Sequence, residues 1–181
     1  MDRQPTLTGP RLTLRPLSPD DWDALYAVAS DRLIWEVHPA HDRWQEVVFR
    51  AFFDDALAQG GALAVIDGGR VVGSSRFQNH HSERSEVEIG WTFLARSHWG
   101  GSYNREMKRL MLDHAFEYVD DVVFAVGEDN HRSRRAMEKI GGILIERTSD
   151  RAMAGLASNH VTYRMSKSDF ANSALAQGET Q

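Results

Sequence analysis

Residues 87–126 constrain the fold more than any other part of the chain, because they place a strand-like run, a glycine turn, a helix and a second apolar run in succession. Val87-Glu-Ile-Gly-Trp-Thr-Phe-Leu94 is rich in β-branched and aromatic residues. Trp99-Gly100-Gly101-Ser102 follows, and then Met107, Leu110, Met111, His114 and Ala115 recur at helical spacing. Val122-Val-Phe-Ala-Val126 is apolar throughout, as a strand covered on both faces is. A strand–helix–strand crossover makes its two strands parallel neighbours. The helix start also carries chemistry: its first N–H groups lack internal partners and the macrodipole adds positive charge, so it attracts an anion. A Gly-Gly pair alone more often marks an ordinary turn before a helix, so the neighbouring elements must decide.

Before this segment, Arg11 to Leu17 alternates apolar and polar residues and predicts a strand. Ser18 is placed to cap, and Pro19 to open, a helix running to about Ser30. Ile34 to Trp44 has no clean period and reads as a loop carrying Trp35, His38 and His41. Arg43 to Gln59 predicts a second helix, with Val47, Val48, Phe52 and Leu57 on its buried side and Gly60-Gly61 ending it. Asp67-Gly-Gly69 joins the strands Ala62–Ile66 and Arg70–Phe77 in a hairpin, and Ser85–Leu94 extends it to a meander. Asn130 to Ile140 predicts a basic helix closed by Gly141-Gly142, and Ile143–Glu146 and Asn159–Met165 are the last strands.

These elements predict an α+β, or mixed α/β, fold: a central mixed and mostly antiparallel sheet of about six to seven strands flanked by about four helices. Residues 1–7 read as a flexible N-terminus, 8–167 as one domain and 168–181 as a flexible polar tail.

The charge balance narrows the partners. A net charge of -5 argues against broad electrostatic binding to nucleic acid. No apolar run is long enough to span a bilayer, so no membrane partner is expected. The chain contains no cysteine, which excludes disulfides, thiolate metal sites and an acyl-cysteine intermediate, and a cytoplasmic location is expected from this and from the lack of an apolar leader. His38 and His41 have no cluster of further ligands nearby in sequence, so no metal is expected.

The order of elements, with Glu88-Ile-Gly-Trp91, Trp99-Gly-Gly-Ser-Tyr-Asn104 and Asp129-Asn-His-Arg-Ser133, resembles the GNAT N-acetyltransferase superfamily over roughly residues 8–167. Within it the chain is similar to the ribosomal-protein alanine acetyltransferase-like group. The resemblance implies an enzyme moving an acetyl group from acetyl-CoA to a primary amine, either a protein N-terminus or a small molecule. It implies a pantetheine arm beside Phe93 and Leu94, and a pyrophosphate on the backbone of Trp99, Gly100, Gly101, Ser102, Tyr103 and Asn104. Asn130 and Ser133 match positions that contact CoA. Trp35 and His38 fall where such proteins receive the acceptor. Ser102 and Asn104 replace the small residues that the family usually has in this turn. Arg132, Arg134 and Arg135 are further phosphate candidates, as guanidinium groups bind phosphate well. Self-association as a homodimer is left open.

Amide formation from a thioester requires removal of a proton from the amine and stabilisation of the developing oxyanion. Along the strand the two-residue period puts Glu86, Glu88 and Gly90 on one face and Val87, Ile89 and Trp91 on the other. Glu88 matches the family position that often acts as general base, with His80 and His81 as second choices. Where the family often has a tyrosine to protonate the thiolate, this chain has Met137. The alternative reading is therefore a CoA-binding sensor or interaction protein that has lost catalysis.

Overall fold

The computed structural model describes residues 1–100, 102–153 and 156–177. Eight strands form one sheet in the order β1-β2-β3-β4-β5-β6-β8-β7. They are β1 (Leu7–Thr8), β2 (Leu12–Pro16), β3 (Ala62–Asp67), β4 (Arg70–His81), β5 (Glu86–Leu94), β6 (Asp121–Gly127), β7 (Ile143–Met153) and β8 (Leu156–Ser166). The helices are α1 (Trp22–Ala29), α2 (Glu46–Gln59), α3 (Tyr103–Ala115), α4 (His131–Ile140) and α5 (Lys167–Ala171). Among the described residues only β5 and β6 run parallel, as the crossover through α3 requires.

Local chemistry accounts for the boundaries. Asp67 pairs with Arg70 across Gly68 and Gly69, whose φ values of 53° and 80° make the two-residue hairpin that those glycines predicted. Pro19–Asp21 forms a short 3-10 turn that leads into α1, and Asp21 accepts from the Ser18 backbone N–H at 2.9 Å while pairing with Arg15 at 2.6 Å. Asn130 caps α4 by accepting from the Ser133 N–H at 3.1 Å.

The sheet separates two cores. On one face α3 and α4 bury Met107, Met111, Met137 and Ile140 against Leu14, Val87, Ile89 and Phe124. On the other, α1 and α2 bury Leu25, Phe49, Phe52 and Phe53 around Trp35 and Phe93. The buried stripe of α2 is Phe49, Phe52, Phe53 and Ala56, a set spaced i, i+3, i+4, i+7, so Val47 points to solvent rather than inward as expected.

Three readings of the sequence are revised by the structure. The stretch expected to be an unstructured tail begins with α5, capped by Ser166 and anchored by Phe170, which lies 5.2 Å from the Phe116 ring, and by buried Leu175. Two large apolar residues among twelve polar or small ones leave no period to read. At the other end, residues 1–7 expected to be free are tied down: Arg3 donates to Gln59 O at 3.2 Å, and Leu7 pairs in β1. Finally, β7 and β8 extend well past the short strands expected, because beyond His160 they pair with each other alone, as a ribbon outside the main sheet.

Candidate active site

β5 and β6 pair at only three positions, Glu86 with Asp121, Val87 with Val122 and Glu88 with Val123. Past Glu88 they diverge, and a cleft of about 920 Å³ opens between Ile89–Leu94 on one side and Phe124–Gly127 on the other. The opening passes through the sheet. Lys108 and Met137 line it from the α3–α4 side, and Trp35 and His38 from the α1–α2 side.

β5 reaches this position through a bulge. Arg76 pairs with Gly90 and Ser74 with Phe93, so Trp91 and Thr92 together stand opposite Ser75. Trp91 takes φ 52°, a left-handed value that a bulky residue adopts only when its surroundings enforce it. The extra residue resets the alternation. Val87 and Ile89 face α3, whereas Trp91 and Phe93 pack into the α1–α2 core and Leu94 returns to the α3 side. The even period expected for Trp91 therefore fails at Gly90. Gly73 on β4 makes the close approach possible, because a Cβ there would lie 2.1 Å from Phe93 O.

Among the expected CoA residues, Phe93, Leu94, Trp99, Gly100, Ser102 and Asn104 line the cleft. Gly100 has φ 69°, which explains glycine at this point of the turn. The Trp99 indole donates to Leu94 O at 2.9 Å and fixes the turn against the end of β5. Ser102 Oγ accepts from Arg11, which also pairs with Glu106 at 3.0 Å. Gly101 lies outside the described residues. Tyr103 stands away from the cleft, between the His98 ring at 4.5 Å and the Arg11 guanidinium at 4.6 Å.

From α4 and the preceding cap, Asn130 and Ser133 also line the cleft, as does Arg135. Arg132 lines it too but is held by Ile34 O at 2.7 Å and by stacking 4.0 Å over the Trp99 ring. Arg134 turns away to Tyr163 and Glu128 O. Arg132 thus staples the loop of Trp35 to the glycine turn.

Trp35 and His38 form the far wall, with ring centroids 5.3 Å apart. Trp35 is also a core residue: its indole donates to Ala29 O at 2.7 Å and its ring lies 5.1 Å from that of Phe93. His38 Nδ1 accepts from the Ala40 N–H at 2.9 Å, so the neutral ring carries its proton on Nε2. Burial, reinforced by Arg43, Arg132 and His160, pushes His38 down to about 3 and keeps it neutral.

Glu88 sits at the vertex where β5 and β6 part. Its side chain is buried, and Oε2 accepts from Asn79 Nδ2 at 2.7 Å. It is not part of the cleft lining, but its Oε1 lies 3.7 Å from where a Cβ of Gly90 would stand, and Gly90 does line the cleft. Gly90 thus puts no side chain of its own beside that carboxylate. His80 and His81 lie at the far end of β4, beyond Gln78, and do not line the cleft.

Lys108 was not among the expected residues. It lies in the buried stripe of α3 with Met107, Met111 and Leu112, a placement that its spacing alone gives away. Its Nζ donates to Thr92 Oγ1 at 2.8 Å and stands 5.5 Å over the Phe124 ring. Burial pushes it down to about 7.

Comparison with known proteins agrees with this geometry. A sequence profile described as "Acetyltransferase (GNAT) domain" matches residues 11–143, and the chain belongs to that family of acetyltransferases. No curated protein matches the sequence. The fold is shared with a GCN5-related N-acetyltransferase from Brucella melitensis, at 20% identity and TM-score 0.82, covering 96% of this chain and 83% of that one. It is shared with Mycobacterium smegmatis RimJ in complex with CoA-disulfide, at 19% identity, TM-score 0.75 and 96% and 91% coverage. Spermidine N-acetyltransferase from Vibrio cholerae, solved with CoA and spermine, matches at 15% identity, TM-score 0.69 and 91% and 100% coverage. The sheet is mixed, as expected, with eight strands where about six to seven were expected and five helices where about four were, among the described residues. Among the described residues, no helix is long and apolar enough to cross a membrane.

Proposed function

We propose that this acetyltransferase moves an acetyl group from acetyl-CoA to a primary amine, by direct attack of the amine on the thioester. The observation that carries the reading is the early divergence of β5 and β6, which opens one continuous passage from the α3 N-terminus to the Trp35–His38 wall. Unpaired strand edges suit an extended amide-bearing arm, and the left-handed Gly100 ahead of the helix start suits a pyrophosphate. Ser102, Asn104, Asn130, Ser133 and Arg135 line the same passage and are the side chains we assign to CoA.

In this reading Glu88 takes the amine proton through a water in the space that Gly90 leaves open. The N–C bond forms as the C–S bond breaks, and Lys108 is the lining group whose pKa best matches delivery of a proton to the thiolate, since Met137 offers none. Asn79 holds Glu88 in place by its hydrogen bond to Oε2. The ribosomal-protein alanine acetyltransferase-like assignment implies a protein N-terminus as acceptor, and the fold shared with RimJ supports it at the level of architecture.

An amine panel with acetyl-CoA, including peptides with free N-termini, polyamines and amino acids, tests the proposal by free-thiol release. Turnover of at least one class is expected. Tight CoA binding with no amine acetylated would replace this reading with that of a CoA sensor.

A further inference from the structure

The chain has three lysines, Lys108, Lys139 and Lys167, and one of them stands apart. Lys139 and Lys167 are exposed. Lys108 is only 2% exposed and yet lines the cleft. A reagent in bulk solvent is kept from its amine, whereas a group lodged in the cleft meets it.

Its surroundings suit a neutral amine better than a charged one. Met107, Met111 and Leu112 share its buried stripe on α3, and Met137 lines the cleft beside it. An ammonium carries three N–H donors, and Thr92 Oγ1 at 2.8 Å is the one hydrogen-bond partner of Nζ among the described residues. Thr92 Oγ1 also lies 2.8 Å from Ser75 Oγ and 3.4 Å from Gly90 O, so its own proton has acceptors there and a lone pair is left for Lys108. A charged Lys108 therefore keeps two donors unused in apolar surroundings, a costly state. The neutral amine keeps the Thr92 bond and has a free lone pair. Burial accordingly pushes Lys108 down to about 7, and a desolvated neutral lysine is a nucleophile.

We propose that Lys108 is a site of self-acetylation, which takes the acetyl group from acetyl-CoA bound in the cleft when no amine occupies the Trp35–His38 end. This rests on the acetyl-CoA reading above. Thr92, which anchors Nζ, stands between Phe93, assigned to the pantetheine arm, and Gly90 and Trp91, which lead toward the acceptor wall. The lysine is thus placed where the thioester end of that arm meets an incoming amine. Its lone pair attacks the thioester carbonyl carbon, the N–C bond forms, and the C–S electron pair leaves with the sulfur. One Nζ proton passes to the thiolate, giving free CoA thiol and an acetyl-lysine amide, with nothing oxidised or reduced. The amide retains one N–H for Thr92 and has no charge to bury. It has no proton to deliver to a thiolate, so the modified protein has lost the acid that serves transfer to an external amine.

Wild-type protein is incubated with acetyl-CoA and no amine, and peptide mapping by mass spectrometry reads the acetyl occupancy of each lysine. Lys108 should exceed Lys139 and Lys167 by about tenfold or more, because its amine is held beside the bound thioester. Excess desulfo-CoA, which lacks the thioester, should suppress the label at Lys108 and leave that of the exposed lysines unchanged. Occupancy at Lys108 no higher than at the exposed lysines, or a label that desulfo-CoA does not reduce, overturns the proposal. A second arm follows activity. After preincubation with acetyl-CoA, wild-type kcat for an amine should fall in proportion to the Lys108 occupancy, while Lys108→Met, slower from the start, should show no fall. A wild-type kcat that stays constant as Lys108 fills overturns the loss of transfer. Amine turnover with no label at Lys108 overturns the self-acetylation site and leaves the transferase reading standing. A label at Lys108 with no amine of a broad panel acetylated overturns that reading and leaves the site standing.

Discussion

Lys108 Nζ donates to Thr92 Oγ1 across 2.8 Å, and this bond joins the middle of α3 to the bulged part of β5 on the floor of the cleft. A primary amine in that position holds its proton less tightly than in water, which makes it both a cost to the fold and a source of protons.

The stability consequence has a definite sign. Lys108 is pushed down to about 7 in the folded state, so at low pH both folded and unfolded chains carry the charge and the folded one bears the burial cost. As pH rises from about 7 toward the unfolded value near 10.4, the folded state sheds its proton first and stability rises. Lys108→Met should therefore be more stable than wild type at or below about pH 7, by on the order of 2–4 kcal/mol, with the gap closing above about pH 10. Chemical denaturation across pH measures it, and parallel pH curves for the two proteins would refute it. The same variant should lose kcat by about 10²-fold if the amine delivers the thiolate's proton. An unchanged kcat assigns that step to solvent.

Glu88→Gln keeps the shape of the side chain and its bond to Asn79 while removing the base. The expected outcome is a kcat lower by about 10²- to 10⁴-fold with CoA affinity nearly kept, and a smaller deficit at high pH, where more amine is already neutral. Steady-state rates beside CoA calorimetry check this, and a wild-type rate eliminates Glu88 as base.

Gly100→Val places a β-branched residue at φ 69°. No heavy atom lies within 4 Å of the added Cβ, so the cost is in the backbone alone, and the turn must reshape. CoA affinity should fall about tenfold or more with little change in melting temperature. Calorimetry giving the wild-type affinity on the folded variant would remove this turn from the CoA site.

His38→Ala should raise the acceptor KM well beyond the KM for acetyl-CoA. Because His38 is held down to about 3, it has no titration between about pH 5 and 8, and the pH profile of the acceptor KM should keep its shape in the variant. A profile that loses a limb would show that His38 gains a proton in use. Trp35→Ala is a poorer probe, since its loss from the core should destabilise by about 3–5 kcal/mol.

Much of the fold was legible because its signals are local. Asp67-Gly-Gly69 dictates a hairpin, and the apolar run at Val122–Val126 after a helix dictates a parallel neighbour for β5. The cleft followed from that crossover, and the expected residues from Phe93 to Asn104 that are described, Tyr103 apart, line it. What escaped depends on contacts distant in sequence. Arg43 and Arg76 are charged residues in unremarkable positions, and only the packing of α2 on the sheet buries them against Phe52. The tail was misread because Phe170 and Leu175 join a core built from residues distant in sequence, such as Phe116, which no local period reveals.

The bulge on β5 bears on which changes this gene can absorb. Substituting Trp91 or Thr92 alters one side chain, but losing Thr92 would restore unbroken alternation and turn Trp91 from the α1–α2 core to the α3 side, taking one wall of the passage with it. In this stretch the length of the chain is under stricter control than its lettering.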